Sequence, residues 1–125
     1  MTPQIASILG SIFGALAIIL GAFGAHALKK RFTPELMQSF ETGVKYQMYH
    51  AIVLLVLGLN LNMETALEKT VIWCFSIGII LFSFSIYGLC ISSANGKKIK
   101  ILGPITPLGG LILLIGWILL AISFM

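Results

Sequence analysis

The chain alternates between long apolar stretches and short polar ones. Four stretches contain no Asp, Glu, Lys or Arg, at 1–28, 46–63, 70–96 and 101–125. About 20 apolar residues suffice for a membrane-crossing helix, and backbone groups in lipid must bond within their own helix. The pattern predicts an all-α integral membrane protein, an antiparallel four-helix bundle in which residues 1–125 form a single transmembrane domain. The predicted spans cover about 4–28, 44–62, 70–94 and 102–124.

The segment between the first two spans has the pattern of an amphipathic helix. Thr33 can cap its start, and Pro34 suits the first helical position. Apolar and polar side chains then separate onto two faces, which favours a short interfacial helix over about 34–43. Gly43 is the expected bend into the second span. The alternative is one continuous helix from Pro34 to about Leu61.

Composition indicates a surface that contacts lipid. Of the 125 residues, 58% are hydrophobic and 10% are charged. A soluble domain of this size could not bury so much apolar surface. The net charge of +4 comes without the basic stripe and stacking aromatics of nucleic-acid-binding proteins, so we expect no nucleic-acid partner. Cys74 and Cys90 would lie about 24 Å apart on a helix, too far for a disulfide.

Basic residues are concentrated in two of the three loops. Those of the first loop follow the first apolar stretch, whereas a secretory signal has its positive charge before the apolar core, so this stretch is expected to remain as a membrane span. Six of the basic residues form a rim expected to attract anionic lipid headgroups: Lys29, Lys30, Arg31, Lys97, Lys98 and Lys100. Lys45 is expected in the first loop as well, whereas Lys69 is the single basic residue of the second. Positive loops face the cytoplasm. We therefore expect a multi-pass protein of the cell (inner) membrane with both termini outside.

Small residues recur at steps of three and four along the first span. They define a helix-packing seam: Ser7, Gly10, Gly14, Ala17, Gly21 and Gly24. Weaker series occur in the third and fourth spans, at Cys74, Gly78, Ser85, Gly88 and Ser92 and at Gly109, Gly116 and Ser123. Close backbone approach along such seams joins helices in lipid. We expect a tight bundle with a face left for a second copy or another membrane protein.

Few side chains at membrane depth can carry chemistry, and Gln47 is one of them. The candidate polar cluster consists of His26, Glu41, Lys45, Tyr46, Tyr49 and His50. Because the first span ends where the second begins, the two histidines are expected at similar depth. A structural role, in which each imidazole bonds a carbonyl or Glu41, competes with metal or haem binding and with proton relay. The two tyrosines fit the interfacial aromatic belt, and Trp117 is expected to pack between helices.

Three ordered motifs resemble one family. They are Gly21-Ala-Phe-Gly-Ala-His-Ala-Leu28, Glu41-Thr-Gly-Val-Lys-Tyr-Gln-Met-Tyr-His-Ala51, and Thr106-Pro-Leu-Gly-Gly110 with Gly116-Trp117. The chain resembles domain-of-unknown-function family 423 over nearly its whole length. The resemblance implies a small four-span membrane protein whose molecular activity is not established.

The sequence favours a non-enzymatic scaffold, assembly or membrane-stabilising component that binds lipid or another membrane protein. The alternatives are a histidine-based metal/haem-binding or proton-relay protein and a small four-span transporter. Proton-coupled transport normally needs a carboxylate inside the bundle, and all four acids are predicted in loops or at helix rims. No nucleophile, base and orienting group can be assembled. No catalytic residue, cofactor or metal site is therefore predicted.

Overall fold

The computed structural model describes all 125 residues, and its regular structure is entirely helical, which confirms the predicted all-α class. Helix α1 covers Pro3–Phe23 and continues as a π-helical turn over Gly24–Leu28. Helix α2 covers Pro34–Asn60. Helix α3, Ala66–Ile79, passes through a second π-helical turn, Ile80–Phe84, into α4, Ser85–Ala94. Helix α5 covers Leu102–Ser123.

Three helical stretches are long and apolar enough to cross a membrane: Pro3–Leu28, Ala66–Ala94 and Leu102–Ser123. Helix α2 is long enough but less apolar, because several polar residues, among them Gln47 and His50, lie within it. The outer surface is itself apolar. Large aliphatic side chains stay about half exposed along α1 and α5, which is the surface that lipid would cover.

Helix α2 is continuous. Thr33 caps it as predicted, with Oγ1 accepting from the amide of Leu36 at 3.2 Å. The helix then continues without interruption to Asn60. The expectation of a separate interfacial helix over 34–43, bent into the second span, is therefore wrong, and the continuous alternative holds.

Gly43 is needed for close packing and not for a bend. It is buried, and a Cβ built on it would lie 2.8 Å from the ring of Tyr87 in α4. Its carbonyl accepts a hydrogen bond from Ser83 Oγ at 2.7 Å. The glycine therefore lets the second π turn and α4 approach the backbone of α2, an inter-helix role that a sequence pattern cannot distinguish from a hinge.

Helices α1 and α2 pack antiparallel along almost their whole length. Ser7 lies beside Gly58 at one end of the interface, and Gly24 lies beside the ring of Phe40 at the other. The small-residue seam of α1 is thus the face that contacts α2. Such close approach supplies the dispersion contacts that hold helices together where lipid removes the hydrophobic driving force.

Helix α5 packs on the rod formed by α3, the second π turn and α4. Gly109 contacts the backbone of that π turn at Leu81 and Phe82, and Gly116 contacts the ring of Phe75 in α3. The two hairpins of the fold, α1 with α2 and α3–α4 with α5, are therefore both built on glycine contacts.

The helices pair in chain order, α1 with α2, α2 with α3 and α4, and these with α5. Helices α1 and α5 do not pair along their lengths, so the arrangement is more open than the regular ring of a predicted four-helix bundle. One apolar cluster, which includes Leu54, Phe75 and Leu113, fills the half near the chain termini. A second, which includes Phe40 and Cys90, fills the half near the first and third loops.

Candidate functional site

A buried hydrogen-bonded junction joins three helices around Gln47. The side chain lies in the middle of α2 and is fully buried. Its Nε2 donates to the carbonyl of Phe13 in α1 at 2.8 Å, and its Oε1 accepts from the hydroxyl of Tyr87 in α4 at 2.7 Å. Both ends of the amide therefore have partners, as buried polar groups require. The junction sets the relative height of α1, α2 and α4.

A second set of contacts surrounds the π turn between α3 and α4. Ser83 reaches the carbonyl of Gly43, and the hydroxyl of Ser85 lies 2.6 Å from Oγ1 of Thr106 in α5. A π turn changes the direction in which the following side chains point, and such turns often occur at functional sites. Here the turn sends one serine toward α2 and the other toward α5.

Ser83 and Tyr87 were not among the predicted site residues. The sequence feature that could have identified them is their polarity inside a long apolar stretch, because polar residues in membrane helices usually face a partner within the protein. The helix that each one faces depends on the π turn, which the sequence pattern does not reveal.

His50 is bonded at both ring nitrogens. Its Nδ1 lies 2.7 Å from the carbonyl oxygen of Tyr46, and its Nε2 accepts from the indole Nε1 of Trp117 at 3.0 Å. A carbonyl can only accept and an indole N–H can only donate, so the ring is neutral with its proton on Nδ1. The imidazole packs against Phe75 and Trp117. His50 therefore bonds a carbonyl, as the structural reading expected, and not Glu41.

His26 lies in the first π turn, exposed at the end of α1, and is not close to His50. Gly24, two positions before it, packs on Phe40 of α2. From Phe40 to His50 the helix rises about 15 Å at 1.5 Å per residue. The expectation of a shared depth is wrong because α2 begins at residue 34 and not 44, which places His50 more than four turns into the helix.

Tyr46 and Tyr49 are exposed on α2 and lie near its middle, not at a helix end. Their ring centroids are 5.8 Å apart, and the ring of Tyr46 also lies 5.2 Å from that of Phe82. Glu41 and Lys45 are exposed near the first π turn, where both line a cavity of about 140 Å³. Lys45 thus belongs to α2 and not to the first loop, and the predicted polar cluster is distributed over several sites.

The six rim cations lie at one end of the molecule. The first and third loops meet there, as shown by the hydrogen bond that the guanidinium of Arg31 donates to the side-chain oxygen of Asn95. Lys29, Lys30 and the three lysines of the third loop are exposed. The loop between α2 and α3 lies at the opposite end of the helices. Lys69, which was predicted in that loop, lies instead in the first turn of α3, because Thr65 caps the helix four residues earlier.

A cavity of about 460 Å³ opens beside this basic end. It lies between the first turns of α2 and α5, with α4 as its floor and Lys98 on its edge. Its walls are partly apolar, for example at Leu36 and Leu89, and partly hydroxylated, for example at Ser39 and Ser93. The cleft therefore combines a cation with an apolar surface.

The remaining buried polar side chains are hydrogen-bonded to other side chains or to the backbone. Apart from Ser76 Oγ, every buried side-chain nitrogen or oxygen has a hydrogen-bond partner. No group of three His, Cys, Asp or Glu side chains is placed so that it could hold a metal ion. The interior hydrogen bonds either join two helices or stay within one helical segment.

Comparisons with known proteins identify relatives over nearly the full chain. Residues 20–110 match the family described as "Protein of unknown function (DUF423)". The chain is 41% identical to the UPF0382 membrane protein YwdK of Bacillus subtilis over 118 residues, which cover 93% of this chain and 92% of that one. It is 38% identical to a UPF0382 membrane protein of Staphylococcus epidermidis, with 93% and 91% covered. A UPF0382 membrane protein of Schizosaccharomyces pombe is 36% identical, with 87% and 92% covered. No solved structure matches the chain.

Proposed function

Because the chain belongs to the DUF423 family, whose matched relatives are membrane proteins, we propose that it is a four-span, non-enzymatic membrane component. It acts by binding lipid or another membrane protein, as a scaffold, assembly or membrane-stabilising factor.

The packing of α2 on α1 supports the fourth span. The interface extends from Gly58, beside Ser7, to Phe40, beside Gly24. That part of α2 is about 27 Å long at 1.5 Å per residue, close to the ~30 Å hydrocarbon thickness of a bilayer. A membrane crossed by α1 is therefore crossed by α2 as well. The polar residues of α2 enter lipid at low cost because Gln47 and His50 bond within the protein.

The position of the basic residues supports an orientation with both termini outside. Three cations lie in the first loop and three in the third, and these loops meet at one end. Lys69 lies near the opposite end. Basic loops stay on the cytoplasmic side, and the cell (inner) membrane is the location that we propose.

The observation that carries the binding role is the closure of the interior polar network. Gln47, Tyr87, His50 and Trp117 bond to other helices or to their own helix, so these groups stabilise the fold. What the molecule presents outward is an apolar belt and a basic end. Both are surfaces for lipid or for another membrane protein.

The same geometry weighs against the histidine-based alternative. A metal or haem ligand needs a free ring nitrogen, and both nitrogens of His50 are engaged. His26 is remote from it and has no second imidazole nearby. The transporter alternative gains nothing either, because Glu41 and Glu35 are exposed near the first loop and Glu64 and Glu68 lie at the opposite end.

Native mass spectrometry of gently extracted protein tests the proposal. The expected spectrum contains the chain with retained anionic lipid, with a stoichiometric membrane-protein partner, or as a homo-oligomer. A chromophore or metal bound at one per chain would support the histidine-based reading instead. A bare monomer that has released every lipid and partner under mild conditions would contradict the binding role.

A further inference from the structure

We propose that the cleft between α2, α4 and α5 binds one anionic phospholipid, with the phosphate at Lys98 and part of an acyl chain along the apolar walls. This inference rests on the proposed membrane-binding role and gives it a site and a ligand class.

The cleft arises because α2 and α5 are each joined to α4 here but not to each other. Sγ of Cys90 in α4 donates to the carbonyl of Leu36 in α2 at 3.4 Å. On the other side, Ser85 bonds Thr106 of α5 at 2.6 Å. Helices α2 and α5 come together only deeper in the protein, where Trp117 donates to His50. The gap above that contact is the cleft.

The glycine at the start of α5 widens the gap. A Cβ built on Gly103 meets no atom within 4 Å, although the residue lines the cleft. By contrast, a Cβ built on Gly109 or Gly116, the glycines of α5 that lie at helix contacts, would be under 3.0 Å from a neighbouring atom. Gly103 therefore borders open space. The volume of about 460 Å³ lies within the range of ~300–1,000 Å³ that small-ligand sites occupy.

The wall chemistry selects an anion with an apolar tail. Lys98 is the one charged residue on the lining, and no carboxylate lines the cleft. The hydroxyls of Thr42 and Thr106 are bonded to carbonyls of their own helices, whereas Ser39 and Ser93 are free to donate to a phosphate oxygen. Apolar side chains fill the rest of the lining.

The place of the cleft in the molecule identifies the source of that anion. It lies at the end where the basic loops meet, within the first turns of α2 and α5. A phosphate there would sit at headgroup level, and a chain below it would point into the hydrocarbon. A soluble phosphate would leave the apolar walls uncovered, so a membrane lipid is the ligand that matches both parts.

Titration of delipidated protein with phosphatidylglycerol or phosphatidylcholine, read by native mass spectrometry, tests the site. We expect phosphatidylglycerol to bind first and more tightly, and inorganic phosphate not to displace it. Lys98→Gln should weaken the first binding step about fivefold, the change that corresponds to ~1 kcal/mol per lysine near a membrane surface. The matched control Lys97→Gln removes the same charge from the neighbouring exposed position and should change it less.

A steric variant keeps the test independent of charge. Gly103→Leu should fill the cleft without a backbone clash and weaken the first binding step, whereas Ala22→Leu, on the exposed face of α1, should not. Equal effects of the two lysine variants, equal binding of both lipids, or displacement by inorganic phosphate would overturn the site. If the wild type retains lipid or partner while neither cleft variant has an effect, the site fails and the binding role stands. If the wild type retains neither and is a monomer, the proposed function itself fails.

Discussion

The indole Nε1 of Trp117 donates to Nε2 of His50 at 3.0 Å and joins α5 to α2. The same imidazole bonds the carbonyl of Tyr46 through Nδ1 at 2.7 Å. One side chain thus connects the two hairpins of the fold. It does so in a single protonation state, because the indole can only donate and the carbonyl can only accept.

This contact predicts the tautomer of His50. Nitrogen chemical shifts of the imidazole, measured in detergent or lipid, should report a neutral ring with its proton on Nδ1. Trp117→Phe should leave Nε2 without its donor, shift that resonance and lower the free energy of unfolding by ~0.5–1.5 kcal/mol. Trp73→Phe is the matched control, since Trp73 on α3 is about as exposed as Trp117, at 51% against 45%, and does not bond His50. A proton on Nε2 in the wild type would contradict the contact.

The junction at Gln47 predicts coupling between α2 and α4. Gln47→Leu should lower the free energy of unfolding by ~1–3 kcal/mol, because it leaves the carbonyl of Phe13 and the hydroxyl of Tyr87 without that partner. Tyr87→Phe alone should cost less. In a double-mutant cycle, the loss in the double variant should be smaller than the sum of the two single losses, as expected for residues in contact. Additive losses in denaturant or thermal unfolding would argue against the bond.

Gly10 and Gly14 of α1 form a GxxxG pair, and the α1–α2 interface predicts that they differ in their tolerance of alanine. A Cβ on Gly10 would lie 2.7 Å from the carbonyl oxygen of Ala51, whereas one on Gly14 would meet no atom closer than 3.9 Å. Gly10→Ala should therefore destabilise the protein by ~1–3 kcal/mol, and Gly14→Ala should be tolerated. Gly14→Leu is still expected to disturb packing, because a larger side chain exceeds that space. Equal melting temperatures for the two alanine variants would contradict the observed register.

Two adjacent glycines of α5 provide a second matched pair. A Cβ on Gly109 would collide with the backbone of the π turn at Phe82, whereas one on Gly110 would make ordinary contact with the ring of that residue at 3.6 Å. A backbone cannot move aside as a side chain can. Gly109→Ala should lower the melting temperature and Gly110→Ala should change it little, in parallel unfolding experiments. The reverse order would mean that α5 packs on the rod through a different face.

The proposed orientation predicts which loops a membrane-impermeant maleimide can reach. In a Cys74→Ala/Cys90→Ala background, Asn62→Cys should be labelled on intact cells, and Lys97→Cys should be labelled only after the membrane is opened. The physical reason is the excess of cations in the first and third loops. Labelling of the third loop on intact cells would reverse the orientation, and labelling of both loops would exclude the four-span arrangement.

The candidate site was only partly predictable from the sequence. His50 and Gln47 were singled out because polar residues are rare in such apolar surroundings. Their partners were not, because Tyr87 lies 40 residues from Gln47 and Trp117 lies 67 residues from His50. Such pairs depend on the relative height and rotation of neighbouring helices. The expected shared depth of His26 and His50 was wrong for the same reason, since an error of ten residues in the start of α2 corresponds to about 15 Å along the helix.

The sequence by itself determined the class of the protein. Its apolar stretches are long enough to span a membrane, and they must be helical because lipid offers no hydrogen-bond partner for backbone groups. It also determined the small-residue faces and the separation of cations into two loops. The tertiary structure alone decided that α2 is one helix, that Gly43 is a contact and not a bend, and that the cleft opens beside Lys98. Helix formation follows from local composition. Contacts between residues far apart in the chain decide three other features. These are the relative height of neighbouring helices, the side-chain direction that a π turn sets, and the gap between two diverging helices.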